Sequence, residues 1–77
     1  MHIGQRIHDV MKEQGRTSVW LAEQLNTVRT NVYDIYHRSH IDTELLLRIS
    51  NLLNHNFAQE IADEYSSQLQ NKHKRSK

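Results

Sequence analysis

The sequence predicts an all-α protein, and its composition provides the main reasons. The 77 residues contain no proline and no cysteine, and Gly4 and Gly15 are the only glycines. A small β-sandwich or barrel needs more turn residues than this, whereas a helical bundle does not. Without disulfides or thiolate metal sites, a domain of this size must be stabilised by packing alone. We therefore expect one compact helical domain over residues 1–70.

The charge of the chain is distributed unevenly along the sequence. The formal net charge is +1, but four of the ten Lys and Arg residues lie in residues 72–77. Residues 1–71 keep six basic residues against nine acidic ones, which gives a formal charge of −3. Residues 71–77 lack apolar periodicity and predict a disordered basic tail. This tail serves solubility or adds non-specific attraction to nucleic acid.

Apolar residues at helical spacing predict the first three helices. Helix 1 covers about residues 3–14, and Gly15 supplies a left-handed C-terminal cap. Helix 2 follows the N-cap Thr17 and ends at Asn26, a residue type that tolerates left-handed geometry. Helix 3 covers about residues 29–37. The apolar faces of these helices comprise Ile3, Ile7, Val10, Met11, Leu21, Ala22, Leu25, Val32, Ile35 and Tyr36.

Two further helices complete the predicted domain. Asp42 caps helix 4, because the positive end of the helix dipole favours a carboxylate at this position. Asn56 and Gln59 have the spacing of a capping box and open helix 5, which is expected to fray beyond about residue 70. The apolar residues of helix 4 are Leu45, Leu46, Ile49, Leu52 and Leu53, and those on one side of helix 5 are Phe57, Ile61, Ala62, Tyr65 and Leu69.

Helices 2 and 3 are the pair that points to a function. Both are short, and the turn between them is tight, with Ala22 small enough to let the two helices cross closely. The start of helix 3 is unusually polar, with Arg29, Thr30 and Asn31. Such a pair lets its second helix protrude into the major groove of DNA, which is about 12 Å wide.

The motifs of the chain resemble the Xre and lambda-repressor-like helix-turn-helix family over roughly residues 3–57. The resemblance is carried by I-G-Q-R-I at 3–7, L-A-E-Q-L at 21–25, R-T-N-V-Y at 29–33 and I-D-T-E-L-L-L-R-I-S at 41–50. It is greatest for the short Xre-type regulators of Bacteroidetes bacteria. The resemblance implies a five-helix domain in which helices 2 and 3 form the helix-turn-helix and helix 3 is the recognition helix.

The resemblance also implies which residues contact DNA. Ser18, at the start of helix 2, falls on the position that contacts the backbone and nearby bases. Arg29, Thr30 and Asn31 fall on the positions that reach base edges, and Tyr33 and Asp34 are the next exposed pair. The segment from Thr17 to Arg38 is thus the expected DNA-contacting part.

The chemistry of these side chains suits those roles. Arg29 can donate two hydrogen bonds to guanine, and Asn31 can pair with adenine. Tyr33 can donate to a phosphate or lay its ring against a thymine methyl, while His37 and Arg38 are placed to meet phosphates. A solvated helix start is the alternative interpretation of residues 29–31.

Several residues depart from the family pattern. Asp34 would repel phosphates unless it accepts from a cytosine amino group or pairs with Arg29 or Arg38. Arg16 stands where many family members bury a leucine, so Trp20 or Val19 is expected to fill that space. Asn26 replaces the usual turn glycine and Val28 replaces the usual Ser or Thr cap of helix 3, which leaves the geometry of the turn open.

Other classes of function have little support in the sequence. His37 and His40 lack a third ligand for a zinc site, and no histidine lies with a Ser or Cys nucleophile in a recognisable catalytic arrangement, so we expect no metal, no cofactor and no enzymatic activity. No apolar run could span a bilayer and no signal peptide is visible, so a soluble cytoplasmic protein is expected. No small-molecule effector is evident.

Two hypotheses about function remain. The first is a sequence-specific transcriptional regulator that binds double-stranded DNA as a homodimer. The second is a protein-interaction module, such as an antitoxin or anti-repressor partner, suggested by the negative charge of residues 1–71 and by the acidic residues of helix 5.

Overall fold

The computed structural model describes the backbone of residues 1–76 and the side chains of residues 1–69. This part of the chain forms five α-helices and no β-strand, which confirms the predicted all-α class. Side chains 70–77, which include the predicted basic tail, lie outside the described residues. In chain order the helices are α1 (Ile3–Gln14), α2 (Ser18–Gln24), α3 (Arg29–Tyr36), α4 (Thr43–Leu53) and α5 (Phe57–Ser76).

Residues that the sequence predicts as caps form the ends of several helices, but α5 continues to Ser76 and does not end near residue 70 as predicted. Gly15 closes α1 in the left-handed region at φ 69°, and Asn26 ends the α2 segment at φ 56°. The Thr17 hydroxyl accepts the Trp20 backbone N–H at 3.0 Å, and the Asp42 carboxylate accepts that of Leu45 at 2.9 Å. These contacts satisfy N–H groups that the first turn of a helix leaves without a partner.

The predicted capping box of α5 forms only in part. The Asn56 side chain accepts the backbone N–H of Gln59 at 2.9 Å, as expected for an N-cap. The Gln59 side chain, however, donates to Asp63 one turn further along α5, at 2.8 Å, and so does not reach back to Asn56. A side-chain pair four residues apart on a helix competes with the reciprocal half of the box.

One hydrophobic core receives side chains from all five helices. α1 contacts the C-terminal end of α3 so closely that Gly4 has no room for a side chain: a Cβ there would lie 2.3 Å from the Ile35 carbonyl oxygen. The backbone N–H groups of Ile3 and Gly4 donate to the carbonyls of Ser39 and Arg38 in the same contact. The core consists of Ile3, Ile7, Val10, Met11, Leu21, Ala22, Leu25, Val32, Ile35, Leu46, Ile49, Leu53 and Phe57.

α5 joins this core only at its beginning. Phe57 is fully buried, whereas Ile61, Tyr65 and Leu69 are 40%, 60% and 46% exposed. An ion pair attaches the first turn of α5 to α1, since the Arg6 guanidinium donates to both Glu60 carboxylate oxygens, at 2.8 and 3.0 Å. Within the described residues, no helix has the length and apolar character needed to cross a membrane.

Candidate functional site

The turn between α2 and α3 determines how α3 is presented. Asn26 adopts its left-handed conformation directly after α2, and the Thr27 N–H donates to the Ala22 carbonyl at 2.9 Å. Ala22 is buried in this crossing, as the sequence predicts. Val28 is the N-cap of α3 and has an extended backbone, but its side chain makes no hydrogen bond. Because a Ser or Thr at this position could accept a backbone N–H and Val cannot, no side chain of the cap satisfies the first turn of α3.

The polar residues at the start of α3 are all exposed. Among the described residues, Arg29 and Thr30 make no side-chain hydrogen bond or ion pair. The Asn31 amide donates to the Thr27 hydroxyl at 2.8 Å, which fixes its orientation and leaves the amide oxygen and one N–H available. α3 buries Val32 and Ile35 on its other side.

The second half of the exposed face carries two local interactions. Asp34 accepts two hydrogen bonds from Arg38, at 2.7 and 3.0 Å. Of the two arginines considered as its partner, Arg38 is therefore the one that pairs with it. The side chains of Asp34 and Arg38 are 56% and 55% exposed. Tyr33 is also exposed, and its backbone carbonyl lies 2.7 Å from the Nδ1 atom of His37.

Ser18, at the start of α2, lies beside the end of α3. Its hydroxyl is 3.0 Å from the Tyr36 hydroxyl, and either oxygen can donate. Tyr36 packs against the core as expected, and burial raises its pKa above 10.0 although the bond to Ser18 partly opposes the shift. The phenol therefore keeps its proton at neutral pH. Because one proton serves the bond between the two hydroxyls, the pair retains one O–H for another acceptor.

The space predicted near Arg16 is filled by Trp20. Trp20 packs against the core, and the Arg16 guanidinium carbon lies 4.4 Å from the centre of its ring in a cation–π contact. Val19, the other residue considered for that space, is exposed. Arg16 is thus held on the α2 side of the molecule by an aromatic surface.

The contribution of α1 to this region was missed by sequence reasoning. His8 stacks on Tyr36 with ring centroids 4.5 Å apart, which places α1 beside the predicted DNA-contacting residues. The available signal was Gly4, because a glycine inside a helix often marks a close approach to another backbone.

The surroundings of these residues give few other indications of chemistry. No group of three His, Asp or Glu side chains suited to a metal ion occurs among the described residues. Comparison of the chain with protein-family models, with curated proteins and with solved structures finds no match in any of the three. What the site can do therefore follows from its own residues.

Proposed function

We propose that the chain is a sequence-specific, DNA-binding transcriptional regulator of the Xre and lambda-repressor-like class. In this proposal α2 and α3 form the helix-turn-helix, and α3 is the recognition helix. The main support is the division of α3 between a buried side, with Val32 and Ile35, and an exposed polar side that begins with Arg29. An α-helix with its side chains is about 10–12 Å across, which fits the major groove, about 12 Å wide.

The proposed base contacts use the first turn of α3. Arg29 is free to donate two parallel hydrogen bonds to the O6 and N7 atoms of guanine, the commonest specific contact in protein–DNA complexes. Asn31 keeps an N–H and its oxygen for an adenine, with the amide plane held by Thr27. Thr30 and Tyr33 are exposed beside them for base or phosphate contacts.

A second copy of the chain completes the proposed complex. One recognition helix reads only a few base pairs, so a homodimer with two such helices about 34 Å apart would read two half-sites in successive major grooves. The exposed side chains Ile61, Tyr65 and Leu69 of α5 form the apolar surface that we assign to this dimer.

Selection of binding sites from a pool of random duplex DNA tests the proposal. A recovered motif with two half-sites about one helical turn apart is the expected result. Arg29→Ala should then lower the affinity for the selected duplex by about 1–3 kcal/mol and relax the preference at one base position. Lys12→Ala is the matched control, because it removes the same charge from the last turn of α1, away from α3.

Two results would argue against this function. If no sequence is enriched and the chain is not retained on any duplex at low salt, DNA binding is wrong. If Arg29→Ala weakens binding equally on all sequences, Arg29 contacts phosphate and the readout must lie elsewhere.

A protein partner is the second candidate function. It is favoured by the same exposed apolar residues of α5, together with the acidic side chain of Asp63 on that helix, since Glu60 and Glu64 are already paired with Arg6 and with the N-terminal amino group. If the chain is an antitoxin or anti-repressor, a basic protein partner would bind to this surface of α5. Co-purification of one stoichiometric partner without retention on DNA would favour this function, and a motif recovered by selection would exclude it as the main one.

A further inference from the structure

A cleft of about 440 Å³ lies beside the predicted DNA-contacting face, where α1, the start of α2 and the end of α3 meet. Three of its lining residues, Ser18, Tyr33 and His37, also belong to the set proposed to contact DNA. The cleft is therefore continuous with that face. Its other walls are formed by His2, Gln5, His8 and Tyr36.

The lining of the cleft suits an anion. Three of its side chains are imidazoles, and no carboxylate is among its lining residues. The Ser18 and Tyr36 hydroxyls keep one O–H between them for an outside acceptor. His2 caps α1 by accepting the Gln5 backbone N–H on its Nδ1 atom, so the proton of its neutral ring is on Nε2, where it can donate.

His37 differs from His2 in where its proton lies. Its Nδ1 atom is 2.7 Å from the Tyr33 carbonyl oxygen, and a carbonyl can only accept, so Nδ1 carries the proton of the neutral ring. The Nε2 atom of neutral His37 is then an acceptor and cannot bond to a phosphate oxygen. Only the protonated ring offers Nε2–H to an anion.

We propose that this cleft binds a backbone phosphate of double-stranded DNA and that His37 takes up a proton when it does so. The inference rests on the proposed function and adds to it a phosphate site and a dependence of affinity on pH. The hydroxyl pair and His2 can donate without taking up a proton, whereas His37 can donate from Nε2 only when its ring is protonated.

The charged groups around His37 do not prevent its protonated ring from donating to a phosphate. Asp34, three residues earlier on α3, is occupied by Arg38. Across the cleft on α1, Asp9 follows His8 and accepts hydrogen bonds from Gln5 and Arg6. The remaining titratable groups that line the cleft are His2, His8, Tyr33 and Tyr36, and its one residue from α2 is Ser18.

The test is the binding of a fluorescein-labelled duplex of fixed mixed sequence, measured by anisotropy at about pH 6 and pH 8 over a range of salt concentrations. At pH 6 the slope of log affinity against log salt should be about 0.9 steeper for the wild type than for His37→Gln, because one phosphate contact is lost. Between about 50 and 200 mM salt, this difference is a loss of affinity about 3.5-fold larger for the wild type. At pH 8 the two slopes should coincide.

Two further variants distinguish binding of a phosphate in the cleft from a general effect of charge on the affinity for DNA. Ser18→Ala removes one hydroxyl of the pair and leaves the Tyr36 O–H without its bond partner, so any change in binding should be the same at both pH values. His40→Gln removes a neighbouring imidazole that does not line the cleft and should behave as the wild type. Circular dichroism at both pH values checks that each variant is folded, since protonation of His2 would remove the acceptor that caps α1.

The outcomes are distinct. Binding by the wild type with the same slope at both pH values, or an equal change in His40→Gln and His37→Gln, would overturn the cleft and leave the proposed function standing. Absence of binding to any duplex would overturn both.

Discussion

Replacement of Gly4 by alanine tests the close contact between α1 and the end of α3. The added Cβ would lie 2.3 Å from the carbonyl oxygen of Ile35 and 2.5 Å from that of Tyr36. Both neighbours are backbone atoms, so no side-chain rotation can relieve the overlap. α1 must instead move away from α3, which also stretches the hydrogen bonds from Ile3 and Gly4 to the loop after α3.

The expected size of the effect follows from three contributions. Overpacking costs about 1–3 kcal/mol, and weakening two backbone hydrogen bonds costs about 1 kcal/mol or more. Alanine regains about 1 kcal/mol because it is a better helix former than glycine. The Gly4→Ala variant should therefore lose about 1–3 kcal/mol of unfolding free energy, which corresponds to a fall in melting temperature of roughly 5–25 °C for a domain of this size.

Urea unfolding followed by circular dichroism measures this loss, and Gly15→Ala is the matched control. A Cβ at Gly15 would have no other atom within 4 Å, but φ is +69° there, so alanine should cost only about 1 kcal/mol of backbone strain. A Gly4→Ala variant as stable as the wild type would refute the close approach of α1 to α3. It would also remove the reason for placing His8 beside Tyr36.

Three other predictions concern the turn, the α1–α5 ion pair and Asp34. Asn26→Val should lower the unfolding free energy by about 1–2 kcal/mol, and Asn26→Gly should not, because φ is 56° there; urea unfolding compares them. The hydrogen bond from Arg6 lowers the pKa of Glu60 from 4.5 to about 2, although burial opposes this shift. The ion pair therefore stabilises the fold fully above pH 4.5, and this stabilisation is lost as the pH falls towards 2. After allowance for solvent screening this is about 1–2 kcal/mol, and Glu60→Gln should abolish that part of the pH dependence of urea unfolding. Asp34→Asn, which frees Arg38, should tighten binding to every duplex by up to about fivefold in an anisotropy titration; weaker binding at one base position only would mean that Asp34 reads a base.

The helix boundaries could be predicted because each depends on neighbouring residues. Gly15, Thr17, Asn26 and Asp42 act within three or four positions of themselves, by a left-handed φ or by a hydrogen bond to a nearby N–H. Such local geometry is encoded by residue type and spacing alone. The element order and these four cap positions therefore follow from the sequence, whereas the end of α5 at Ser76 and the left-handed cap Asn54 of α4 were not predicted.

Contacts between distant residues could not be predicted in the same way. Arg6 and Glu60 are 54 positions apart, and Ser18 and Tyr36 are 18 apart. Nothing in either local sequence specifies the partner, because the first pair depends on how α1 packs against α5 and the second on how α2 packs against α3. The cleft lined by His2, His8 and His37 was missed for the same reason.

The apolar side of α5 shows a different limit of sequence patterns. Ile61, Tyr65 and Leu69 have the same spacing as a buried stripe, yet the structure exposes all three. Periodicity identifies which residues share a face of a helix but not what covers that face. For a single chain the face is open, and its assignment to a dimer rests on the proposed function.

The pairing of Asp34 with Arg38 changes what the negative charge of residues 1–71 means for DNA binding. A free carboxylate on the exposed side of α3 would repel phosphates, but here a guanidinium lies 2.7 Å away and cancels its charge at distances beyond the pair. The other cations near α3 are Arg29 and Arg48, which are unpaired among the described residues, and His37, which carries charge only when protonated. In the proposed function, the described residues therefore supply few phosphate contacts near neutral pH, and their contribution to the salt dependence of binding should be shallow.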